Sequence, residues 1–124
     1  MPNRNRPVFL NLLQIHLPLM GWVSIAHRLT GVLLFLLLPL PLWLWQRSLT
    51  SSTDFDLVSH WLNGWPVRLL LLVMFWWFLH HLFAGIRFLL LDMEIGSSLK
   101  AARGSAIALL LFDGLLLIGG GWCL

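Results

Sequence analysis

Charge is scarce in this chain. Only 10% of its 124 residues are Asp, Glu, Lys or Arg, where a soluble domain carries about 25%. The one cysteine, Cys123, excludes an internal disulfide and a thiolate zinc site. There is no recognisable catalytic nucleophile, carboxylate cluster or phosphate-binding loop, so any reaction must draw on a bound cofactor or a partner subunit. The formal charge is +3. The basic residues are few and lie beside apolar runs, so they read as topology signals rather than as a nucleic-acid surface, and no nucleic-acid partner is expected. Arg4 and Arg6 precede no short apolar core with a small-residue cleavage site, so the N-terminal segment is expected to be retained.

What is abundant is apolar surface: 59% of residues are hydrophobic and the mean hydropathy is +0.85. A chain this short cannot bury that surface within itself, so lipid or partner subunits must cover the remainder. We expect an all-α fold, an integral membrane bundle of three transmembrane helices forming one domain over residues 1–124. The helices are expected at about residues 19–46, 66–92 and 99–122, each long enough for the roughly 20 residues that span the hydrocarbon core. Pro39 and Pro41 should kink the first. Residues 47–64 read as a polar connector, Pro66 as a first-turn residue, and Gly96-Ser97-Ser98 as the break before the third helix. Residues 1–18 are too mixed to span and are expected to lie on the cytoplasmic surface.

Orientation follows from Arg4, Arg6, Lys100 and Arg103. In the first loop, Arg47 is offset by Asp54 and Asp56. The positive-inside rule then places the N-terminus and second loop in the cytoplasm and the C-terminus outside, with Trp43, Trp45, Trp61 and Trp65 at the outer boundary.

Two polar clusters stand out in the greasy helices. Ser24, His27, Arg28 and Gly31 share one arc of the first helix. A hydroxyl, an imidazole and a guanidinium there can hold an anion or polar carbonyls, or Arg28 can snorkel to lipid phosphate. On the second helix, His81, Gly85, Phe88 and Asp92 form a narrow stripe. A membrane histidine one turn from a glycine suits an axial haem ligand, the glycine sparing the macrocycle a clash. A histidine hydrogen-bonded between helices fits the same pattern. Counting about 1.5 Å per residue from the cytoplasmic ends puts His27 about 10 Å deep and His81 about 16 Å deep. That offset sets His27 nearer a haem propionate than across the iron, and a second histidine ligand would have to come from another chain. His80 points about 100° away from His81, toward headgroups, a partner helix or a polar pocket. Arg87 and Asp92 are candidates for pairing across helices or with propionates. Asp113, mid-helix in the third span, must be protonated or face a partner or polar cavity. Gly119-Gly120-Gly121 allows close packing.

Together the clusters resemble the cytochrome b556 subunit family of succinate dehydrogenase, the larger membrane anchor of respiratory complex II. Ser24-Ile25-Ala26-His27-Arg28-Leu29-Thr30-Gly31 matches the family's first-helix motif, and His81, Gly85, Arg87 and Asp92 match its second. Arg6-Pro7 and Leu13-Gln14-Ile15 are similar to its lead-in, and Phe88 replaces the histidine that usually follows the motif's arginine. The resemblance implies His81 as axial ligand of the iron of haem b, opposite a histidine of the small membrane anchor subunit. It implies that Ser24 and Arg28 line a ubiquinone site and that His27 and Arg28 approach the haem propionates. Electrons would come from the flavoprotein subunit through the iron–sulfur subunit. This chain would contribute the quinone-reduction site without oxidising succinate. A fumarate reductase anchor and a non-catalytic membrane scaffold are the alternatives, and a bacterial inner membrane is the expected location.

Overall fold

Long, mostly apolar stretches form helices wherever proline and glycine allow, and among the described residues five helices follow one another. They are α1 (Leu19–Leu37), α2 (Pro39–Ser48), α3 (Ser52–Asn63), α4 (Trp65–Asp92) and α5 (Leu99–Gly121). The computed structural model describes residues 16–121. The expectations for the lead-in segment up to residue 15, and those for Trp122 and Cys123, lie outside the described residues. All regular structure among the described residues is helical.

Among the described residues, three stretches are long and apolar enough to cross a membrane: Leu19–Ser48, Trp65–Asp92 and Leu99–Gly120. The first joins α1 and α2. Pro39 has no N–H to donate, so the helix is interrupted at Leu38, whose own N–H still reaches the Leu34 carbonyl at 2.9 Å. The chain continues helically beyond, so the prolines divide one span rather than end it.

The expected polar connector is largely helical instead. Ser51 is extended (φ −157°, ψ 164°) and its Oγ accepts the Asp54 N–H at 3.0 Å, capping α3. Asp54 in turn accepts from Arg47 Nε at 3.1 Å, tying the end of α2 to the start of α3. Val58 is buried. Arg47 also lies over the rings of Trp43 and Trp61, at 5.7 and 5.9 Å. Both tryptophans are exposed, as are Trp45 and Trp65, so all four are free to meet an interface.

α4 ends in a Schellman turn. Ile95 N–H reaches the Leu90 carbonyl at 2.9 Å and Glu94 N–H the Leu91 carbonyl at 3.0 Å. The left-handed position falls on Glu94 (φ 63°), two residues before the anticipated Gly96, which is also left-handed (φ 72°). Ser98 Oγ then accepts the Ala101 N–H at 3.3 Å to start α5.

α1, α4 and α5 pack on one another. The junction is made of small and branched residues: Val23 from α1, Ala84 from α4, Ala106 and Leu109 from α5. Small side chains let helix backbones approach closely where lipid offers no hydrophobic drive. Gly120 does the same near the far end of α5, where a Cβ would collide with Leu72 of α4. Most large apolar side chains point outward, Phe35 and Trp65 each 75% exposed. That surface needs lipid or other subunits against it.

Candidate functional site

The two histidine motifs meet where α1 crosses α4. The rings of His27 and His81 stack, with centroids 4.2 Å apart and planes 7° from parallel. Each histidine occupies the space opposite a glycine on the other helix. A Cβ on Gly31 would lie 2.8 Å from His81 Cε1, and one on Gly85 would lie 3.2 Å from His27 Nε2. The crossing is therefore a reciprocal glycine–imidazole lock, and Gly85 makes room for His27 rather than only for a ligand of His81.

This geometry corrects the depth estimate. Counting residues from the helix ends separated the two imidazoles by one turn, yet they lie face to face. The count ignores helix tilt and how far each helix extends beyond the hydrocarbon core. One conclusion survives by a different argument. Imidazole lone pairs lie in the ring plane, so two stacked rings cannot aim at a single metal ion held between them.

His81 Nδ1 lies 3.0 Å from the His27 backbone oxygen. A carbonyl only accepts, so Nδ1 carries the proton and Nε2 is left with a free lone pair. Thr30 Oγ1 is 3.5 Å from the same nitrogen but gives its own proton to helix carbonyls, the Ala26 oxygen at 2.8 Å or the His27 oxygen at 3.0 Å.

His27, Arg28, Gly31, Val32, Phe35 and His81 line an open cavity of about 470 Å³. The structure thus brings together three of the four site residues expected from the sequence. Ser24 is half-buried one turn before Arg28 and does not line this cavity. Arg28 is exposed at its rim. Phe88, the departure from the family motif, packs edge-on to His27, with centroids 5.3 Å apart.

Arg87 lies elsewhere. It is buried against α5, donating from Nε to Ser105 Oγ at 3.0 Å and from Nη2 to the Ala102 carbonyl at 2.8 Å. Its pairing is across helices, as one expectation had it, but with a hydroxyl and a carbonyl. Asp92, on the last turn of α4, is exposed.

One constellation was not assembled from the sequence. His80 Nδ1 and Asp113 Oδ2 are 2.6 Å apart, and both residues are 97% buried. Trp76 Nε1 donates to the Asp113 backbone oxygen at 3.1 Å, holding the same turn of α5. The signal was present as two unexplained polar residues on different helices. Only their joint placement pairs them.

Residues 2–119 match the family described as the succinate dehydrogenase/fumarate reductase transmembrane subunit. The chain belongs to this family. The succinate dehydrogenase cytochrome b556 subunit of Coxiella burnetii (strain RSA 493 / Nine Mile phase I) is 41% identical over 108 residues, 84% of each chain. Family and relative together support the role of a multi-pass membrane anchor subunit of succinate dehydrogenase, and they do not favour the alternatives of a fumarate reductase anchor or a scaffold. Membership implies association with the bilayer and with the other subunits of that complex.

Proposed function

We propose that this anchor holds a b-type haem through His81 and contributes Ser24 and Arg28 to a ubiquinone site beside it. The observation that carries the reading is the bond from His81 Nδ1–H to the His27 carbonyl. It fixes the tautomer and orientation of the ring and leaves Nε2 as the nitrogen through which haem iron would be held. The surroundings fit such a group. Val32 and Phe35 offer apolar walls, Gly31 leaves the imidazole its space, and Arg28 at the rim offers a guanidinium to propionate carboxylates. When bound, haem supplies one-electron redox capacity. His27 supports the ligand by its backbone carbonyl and its stacked ring. The cavity is open on one side, which suits a second wall and a second histidine ligand from the small membrane anchor subunit.

Ser24 and Arg28, one turn apart, are hydrogen-bond donors suited to quinone carbonyl oxygens. Reducing equivalents come from the iron–sulfur subunit, supplied by the flavoprotein subunit, and this chain takes no part in succinate oxidation. We place the protein in a bacterial inner membrane with the N-terminus cytoplasmic and the C-terminus periplasmic, following its basic residues.

The test is a reduced-minus-oxidised spectrum of the complex purified through this chain. A b-type band lost in His81→Ala supports the assignment, and an unchanged band in that variant refutes it. Arg28→Ala should impair quinone reduction while sparing succinate oxidation by an artificial acceptor. Equal loss of both would point to failed assembly instead.

A further inference from the structure

Behind Thr30, away from the histidine stack, a second cavity of about 390 Å³ lies among α1, α4 and α5. Leu29 and Leu33, Trp76 and Trp77, and Leu110 and Leu117 supply most of its wall. His80 and Asp113 line it as well, and they are its main polar feature. The volume lies within the range of small-molecule pockets, and an apolar wall with a few convergent polar groups is their usual chemistry. Leu29, Leu110 and Leu117 are exposed on the outside of the bundle, so the cavity is bordered by surface that faces the membrane.

The couple is incomplete by itself. With Nδ1 and Oδ2 sharing one hydrogen bond, His80 Nε2 and Asp113 Oδ1 remain buried without a partner among the described residues. With the shared proton lying between Nδ1 and Oδ2, Oδ1 only accepts, so whatever completes it must donate. Ketones, ethers and esters cannot do so. A hydroxyl donates and can also meet Nε2. A neutral hydroxyl enters the membrane interior at far smaller cost than an ammonium group does. The two indole rings and the leucines favour a flat apolar body attached to that hydroxyl.

We propose that this cavity binds a phenol-class membrane amphiphile, its hydroxyl seated on the His80–Asp113 couple and its ring against Trp76 and Trp77. The site is separate from the His81 cavity, and the inference does not depend on the haem reading.

The experiment uses the intact complex purified through this chain. It is photolabelled with a diazirine derivative of 4-hexylphenol, and the labelled peptides are mapped by mass spectrometry. The expected label falls on α4 around Trp76–His80 and on α5 around Leu110–Leu117. Free 4-hexylphenol should compete at least about tenfold better than its methyl ether, which has lost the donor. Gly114→Leu should cut the labelling by a similar factor, because Gly114 lines the cavity and a Cβ there meets open space. Label at other positions overturns the proposal. So does equal competition by the ether, as it would if only water completed the couple. Undiminished labelling of an assembled Gly114→Leu complex overturns it too. If that variant does not assemble, the phenol and ether comparison on the unaltered complex decides.

Discussion

At the crossing of α1 and α4, a single methyl group decides the geometry. Gly31→Ala would put a Cβ 2.8 Å from His81 Cε1, closer than non-bonded carbons tolerate. The ring must rotate or the helices must part, and either weakens the bond to the His27 carbonyl. The expected outcome is a weakened or shifted b-type band in the difference spectrum, with succinate oxidation by an artificial acceptor retained. The His80–Asp113 couple behaves differently. Asp113→Leu leaves His80 buried without its partner, whereas His80→Phe with Asp113→Leu leaves no polar group behind. The single change should lower stability by about 1–2 kcal/mol and the double change by less, read from thermal unfolding of the complex in detergent. Asp113 by itself announced a need for a partner, because a bilayer penalises a lone carboxylate. It did not say which residue answers, since His80 and Asp113 are 33 positions apart.

Two turns carry the element-scale predictions. Glu94 holds a left-handed conformation that costs an ordinary residue about 1–2 kcal/mol and a glycine little. Glu94→Gly should therefore raise the unfolding temperature of the purified complex. Ser51→Ala removes the cap of α3 and should lower stability by about 1 kcal/mol in the same measurement. The first loop shows why a sequence reading stops short here. Its polar residues resemble a linker, and the helix is specified by a cap and by Val58, whose burial depends on how α3 lies against its neighbours. The long spans needed no such help, because their length and hydropathy leave a membrane helix as the form that satisfies the backbone.

For the whole molecule, the membrane topology is the testable property. With the second loop cytoplasmic and the first loop outside, a cysteine at Ser97 should react with an impermeant maleimide only from the cytoplasmic face, and one at Thr53 only from the opposite face. Both positions are exposed. The reverse pattern would invert the orientation drawn from Arg4, Arg6, Lys100 and Arg103. What the sequence by itself determined is the class of the protein: apolar runs of spanning length make three membrane helices, and the Ser24–Gly31 and His81–Asp92 motifs mark the family. What only the tertiary structure decided is which polar groups meet. Helical periodicity assigns a residue to a face but not to a neighbour, because tilt and crossing angle set the level at which two faces touch. That freedom brought His27 level with His81, turned Arg87 toward α5, and joined His80 to Asp113.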